Sequence, residues 1–177
     1  MVVYESLWGN TAAIANAIAD GLGPGTRVGS TGDISPSIAA TASLLVIGAP
    51  VHAMSLPSVR SLASVATRTL GPDELAADLD HPLIRDWVPE LPYSESLAAA
   101  FDTRITGLFG RGGARSIERL LQSRGRRLIH QAHGFIITNQ REIRQAANML
   151  REGELARASE WGAHLAGLIE ESPSLTR

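Results

Sequence analysis

The sequence predicts a doubly wound α/β fold: a mostly parallel five-stranded sheet in the order 2-1-3-4-5, with helices on both faces. Three observations carry this. Short apolar runs alternate with helical apolar stripes about five times along the 177 residues, the pattern of repeated βα units. Residues 43–48 (SLLVIG) form a continuously apolar run, as a central parallel strand covered on both faces requires. The first apolar run, Met1 to Tyr4, passes through a tight polar turn straight into a helix, the arrangement found at the switch point of open α/β sheets.

The elements follow in order. After the first strand, Ile14, Ile18 and Leu22 recur at helical spacing, and Gly21 with the Gly23-Pro24-Gly25 turn ends that helix. Residues 26–29 are a weak strand candidate for a sheet edge. Residues 35–40 make at most a short helix, with Pro36 at a favourable early position. The central strand 43–48 runs into the loop 49–56, and a helix is expected from about 57 to 67. Residues 71–96 are irregular. They contain four prolines, carry seven acids against one arginine, and read as a loop with one or two short helices. A segment of this length is either functional or a solvated cover over a sheet edge.

Residues 97–104 (LAAAFDTR) read as a strand of small residues. The glycine-rich turn 107–113 departs from a dinucleotide fingerprint, because Arg115 stands where a third glycine belongs. A helix over 114–124 is expected to bury Ile117, Leu120 and Leu121. Residues 126–138 read as a long strand broken near His133-Gly134, with Phe135, Ile136 and Ile137 at its centre. Residues 140–150 read as helical or as a helical loop. The last helix, about 151–170, is expected to bury Leu155, Ala158, Gly162, Leu165 and Ile169. The whole chain is expected to form one domain.

Composition excludes several classes of function. There is no cysteine, so disulfides, thiolate catalysis and cysteine-ligated metals are absent. No apolar run reaches membrane-spanning length and the chain opens on a strand rather than a signal peptide, so a cytoplasmic protein is expected. Every basic side chain apart from histidine is arginine. Residues 1–100 hold four arginines against ten acids, and residues 101–177 hold twelve against eight. The segment 104–127 carries seven arginines and one acid; it reads as a solvated helix face or as a dock for an acidic partner or a nucleotide phosphate. No nucleic-acid motif accompanies it. His130 and His133 stand apart from carboxylates, His164 reads as a surface residue, and no metal site is expected.

The candidate binding residues lie in three loops. In the first, a strand, a tight turn and a helix start leave backbone N–H groups pointing into the turn at the positive end of a helix dipole, which suits a phosphate. Ser6, Asn10 and Thr11 add short side-chain donors, and Gly9 permits close approach to the backbone. Ordinary helix capping explains the same residue types. The other two loops, 49–56 and 102–113, leave neighbouring strands in the 2-1-3-4-5 order and converge on the same crevice.

The stretch Tyr4-Glu5-Ser6-Leu7-Trp8-Gly9-Asn10-Thr11, followed by Ile14-Ala15 and Ile18-Ala19, resembles the FMN phosphate loop and first helix of the flavodoxin family, most closely actinobacterial flavodoxin-like proteins. Residues 45–52 (LVIGAPVH) are similar to that family's second loop, and residues 98–104 and 150–162 to its fourth strand and last helix. The resemblance implies FMN as cofactor. The phosphate would be held by Ser6, Leu7, Trp8, Gly9, Asn10 and Thr11. One side of the ring would be lined by Ala49, Pro50, Val51, His52, Ala53 and Met54. Asp102, Thr103, Arg104, Phe109, Gly110, Arg111 and Gly112 would line the other. The family's stacking Trp and Tyr are missing from both ring loops; His52, Met54 and Phe109 stand in their place. No glycine occurs between Pro50 and Pro57, where many members use one for a redox-coupled peptide flip.

The implied role is an electron carrier between a reductase and an acceptor, its partners being redox proteins. Two alternatives stay open. One is an FMN-dependent oxidoreductase acting on NAD(P)H, a quinone or a porphyrinogen-type substrate. The other is a cofactor-free interaction protein that keeps the fold. No catalytic side chain is assigned.

Overall fold

The structure is a computed structural model that describes residues 1–52, 54–106, 112–138 and 143–171. Its sheet is parallel throughout the order β2-β1-β3-β4-β5. The strands are β1 (Val2–Tyr4), β2 (Val28–Ser30), β3 (Leu44–Pro50), β4 (Leu97–Arg104) and β5 (Arg127–Leu128). The short second strand sits at the edge, and the predicted strand order holds.

The fifth position of the sheet is built in two pieces. β5 pairs with Leu97 and Ala98 of β4, and β6 (His133–Ile136) pairs with residues 101–104 of the same strand. Four steps along β4 thus face six along the outer strand, a two-residue bulge. The expected break is real, but it falls at residues 129–132, and His133-Gly134 are in register opposite Phe101 and Asp102.

Two apolar layers cover the sheet, because alternate residues of each strand point to opposite faces. On one face, Val2, Val46, Ala99 and Phe101 pack against α1 (Asn10–Leu22) and α6 (Glu154–Glu170) through Ile14, Ile18, Ala158, Trp161 and Leu165. On the other, Val3, Leu45, Ile47, Ala98 and Ala100 pack under α5 (Gly113–Ser123), α2 (Pro36–Ala39) and α4 (Ile84–Trp87). The remaining helix, α3 (Val59–Ala66), carries a capping box in which Ser58 and Ser61 exchange hydrogen bonds. The small residues of β4 leave room for one large ring: Phe101 lies directly over Gly48, its register partner. Helices α1 and α6 approach closely because Gly21 and Gly162 face each other's backbones, and a Cβ at Gly162 would overlap the carbonyl oxygen of Ile18.

The acidic segment 71–96 contributes more than a solvated cover. Its second half, α4 with a following 3₁₀ turn (Val88–Glu90), buries Ile84, Trp87, Val88 and Leu91 in the core. Trp87 Nε1 donates to Ile34 O at 3.0 Å.

One expectation is narrowed and another fails. Residues 143–150 form a loop with a turn at 146–149 rather than a helix. Their backbone groups bond across the molecule: Ala147 N–H donates to Trp8 O (3.0 Å) and Met149 N–H to Asn10 Oδ1 (3.2 Å). Leu155 is 48% exposed. The core-facing slot of the first α6 turn belongs instead to Glu154, which is buried, accepts from Ile136 N–H at 3.0 Å, and pairs with Arg151 and Arg157. Of the residues expected inside α5, Ile117 and Leu121 are buried and Leu120 partly so. No described helix is long and apolar enough to cross a membrane.

Candidate functional site

The first loop, residues 5–9, joins the carboxyl end of β1 to α1. Gly9 caps the helix at φ 82°, a left-handed conformation that costs a glycine little. It also lies against the 143–150 segment, where a Cβ on Gly9 would come within 2.8 Å of Ala146 Cβ. Three carbonyls of this loop are engaged. Leu7 O accepts from Asp78 N–H (2.8 Å), Trp8 O from Ala147 N–H (3.0 Å), and Gly9 O from Ala13 N–H (2.9 Å). The N–H groups of Leu7, Trp8, Gly9, Asn10 and Thr11 donate to no protein atom among the described residues. Buried backbone donors are nearly always paired. Leu7, Asn10 and Thr11 are all buried residues, so this row of open donors fits an oxyanion.

The three side chains expected to bind have other partners. Ser6 Oγ accepts from Ala12 N–H (3.3 Å). Asn10 Oδ1 holds Met149 N–H. Thr11 Oγ1 lies 2.8 Å from Thr103 Oγ1. They build the loop rather than extend from it.

The second and third loops meet the first through Thr103. In β3 and β4, Ala49 pairs with Asp102 and Pro50 with Thr103, and Val51 N–H donates to Thr103 O (2.8 Å). Val51 packs on Gly113, where a Cβ would come within 2.8 Å of Val51 Cγ2. His52 turns back toward α3, its Nε2 at 3.0 Å from Ser61 O. Met54 is 56% exposed, with φ 66°. Gly112 caps α5 at φ 120° beside Met54 O. Ala53, Phe109, Gly110 and Arg111 lie outside the described residues.

Asp102 is fully buried. Ala114 N–H donates to its Oδ2 (2.7 Å) and Arg104 Nε lies 2.9 Å from its Oδ1. Burial pushes its carboxyl up to about 6, while the Ala114 hydrogen bond and Arg104 pull the other way.

A cavity of about 380 Å³ adjoins the first loop, lined by Ser6, Trp8 and Gly9 and by groups the sequence did not single out: Ser30 at the end of β2, Asp33 just beyond it, and Asp78 and His81 from the acidic segment. Asp33 is held below the usual carboxylate range by Ser30, whose hydroxyl and N–H both donate to it. Among the described residues no arginine lines this cavity, so an anion here would rest chiefly on backbone donors and the helix dipole. Glu5, beneath the loop, was also missed. It is fully buried, accepts from Ile84 N–H (2.8 Å), and burial pushes it up to about 7. Among the described residues no group of three or more His, Cys, Asp or Glu is placed to hold a metal ion.

Strand order, crossovers and the loop cluster at the carboxyl ends of β1, β3 and β4 can be set beside solved structures. A flavodoxin from the domain Archaea superposes with a TM-score of 0.63 at 15% identity, over 96% of each chain. The fold is flavodoxin-like. Oxidised flavodoxin 1 from Bacillus cereus superposes on this flavodoxin-like chain with a TM-score of 0.62 at 16% identity, covering 94% of this chain and 95% of that one. A flavodoxin, WrbA-like protein from Agrobacterium tumefaciens reaches 0.53 at 16% identity, over 96% of each chain. Comparison with protein-family models and with curated protein sequences finds no match.

Proposed function

We propose that the protein binds FMN and works as an electron-transfer protein between a reductase and an acceptor. The observation that carries this reading is the row of open N–H groups from Leu7 to Thr11, set at the left-handed Gly9 turn at the head of α1. The names of the structural neighbours above support the same reading. The donor set fits a phosphate monoester, which takes several hydrogen bonds on three oxygens and gains from a helix N-terminus.

FMN, when bound, supplies the redox chemistry. The chain's own residues do the rest. Leu7 to Thr11 would hold the phosphate, and Thr103 ties the second and third loops to that cradle. Val51 and Met54 would present an apolar edge to the ring, and Arg104 a positive charge. A cation near a flavin favours its anionic reduced form and raises its potential. Asp33 and Asp78 would oppose this from the phosphate side.

The test is titration of the purified chain with FMN and with riboflavin, followed by absorbance and flavin fluorescence. FMN should bind saturably and riboflavin, which lacks the phosphate, much more weakly. Absence of binding by both overturns the reading. Anaerobic addition of NADPH to the FMN-loaded protein then separates carrier from oxidoreductase, since direct bleaching marks the enzyme.

A further inference from the structure

On the far side of β4 from the phosphate cradle lies a second cavity, of about 470 Å³, bounded by β4, the start of α5 and the outer-strand bulge. Arg104, Arg115 and Arg119 line it, with Asp102 at its floor. Arg115 and Arg119 are four residues apart on α5, so they stand one above the other on the same helix face.

These two arginines have no acceptor among the described residues, and the local geometry shows why. Glu118 is the only acid on α5, three residues from Arg115, where an intrahelical ion pair would be expected. Its Oε1 instead accepts from Ala132 N–H at 2.5 Å, which draws the acid into the bulge and leaves both guanidinium groups unpaired. Asp102 is already committed to Ala114 N–H and Arg104. Three guanidinium groups thus face one carboxylate across a concave site.

We propose that this cavity is a binding site for a phosphoryl-bearing polyanion. Arginine forks match phosphoryl geometry, and three oxygens on one phosphorus can be shared between two guanidinium groups. The cavity exceeds the size of one phosphate, so a diphosphate, free or as part of a nucleotide, fits the charge and the volume. The site borders the proposed ring site through Asp102, Arg104 and Gly112, but Arg115 and Arg119 are assigned to neither the FMN phosphate nor the ring, and the site does not require flavin to be bound.

Calorimetric titration of the full chain with inorganic pyrophosphate and with ADP, at low ionic strength, tests this. Saturable one-to-one binding is expected, with a loss of about ten-fold or more in the Arg115→Gln/Arg119→Gln double variant. Both side chains are exposed, so the variant should fold, and its melting curve should match that of the parent. Tighter binding of ADP assigns the site to a nucleotide; equal or tighter binding of pyrophosphate assigns it to a free polyphosphate. No saturable heat with either, or equal affinity in parent and double variant, overturns the proposal. Any FMN affinity should be unchanged in the double variant, which keeps this test separate from that of the flavin reading.

Discussion

Thr11 on α1 and Thr103 at the end of β4 place their hydroxyl oxygens 2.8 Å apart, 92 positions distant in the chain and both buried. This contact joins the start of α1 to the end of β4. Replacing either threonine by valine keeps the shape and leaves the other hydroxyl buried and unpaired, at a cost of about 1–3 kcal/mol. Replacing both removes the two polar groups together. The double variant should therefore lose less stability than the sum of the singles, which denaturant melts of all four proteins will show.

Glu5 predicts a pH effect of definite sign. Its carboxyl is raised in the folded chain from 4.5 to about 7, chiefly by burial. The folded state thus holds this proton more tightly than the unfolded chain. The resulting stability is fully present below pH 4.5 and is lost as pH rises toward and through 7, by an amount on the order of 3 kcal/mol. Asp102 acts in the same direction at lower pH. His133, lowered to about 4 mainly by burial, acts in the opposite direction. The difference between parent and Glu5→Gln isolates Glu5: the variant should gain in melting temperature relative to the parent from pH 5 to 8.

At Met54 the second loop takes a left-handed turn without a glycine, a strain of about 1–2 kcal/mol. The side chain is mostly exposed, so little packing offsets it. Met54→Gly should be neutral or stabilising by up to about 1 kcal/mol, although glycine normally destabilises. Met54→Val should destabilise by about 1–2 kcal/mol, since β-branching worsens a positive φ. The ranking Gly, Met, Val in chemical melts checks it.

Gly162 sets the distance between α1 and α6. A methyl there would overlap Ile18 O, backbone that cannot move without shifting a helix. Gly162→Ala, which gains helix propensity, should nevertheless destabilise by about 1–3 kcal/mol or more through overpacking. At Gly167 on the same helix, where a Cβ meets nothing within 4 Å, Gly167→Ala should be neutral or stabilising. Thermal melts of the pair separate packing from propensity.

Much of this molecule was legible residue by residue. The bounds of β4 match the run LAAAFDTR, and Ser35 with Pro36 announced α2. Gly9 marked the turn because its left-handed φ favours glycine. The first turn of α6 was not legible. Helical periodicity reports an apolar face, and Leu155 fitted one. Glu154 took the buried slot because Arg151, Arg157 and Ile136 N–H converge on it, and those partners are set by folding. The roles of Ser6, Asn10 and Thr11 were half legible. Their types suggested phosphate ligands, but Thr103 and Met149, from distant parts of the chain, engage two of them.

The chain by itself determined the alternation of strands and helices, the order of the sheet and the position of the tight turn before α1, because these rest on local periodicity, turn chemistry and the handedness of βα crossovers. Only the tertiary structure decided that the loop's N–H groups stay open while its side chains are taken. The same holds for Glu5 and Asp102, which become buried acids, and for Arg115 and Arg119, which have no partner among the described residues around their cavity. Each of these depends on which backbone groups arrive from elsewhere in the chain to claim a hydrogen bond. Local sequence does not encode that competition.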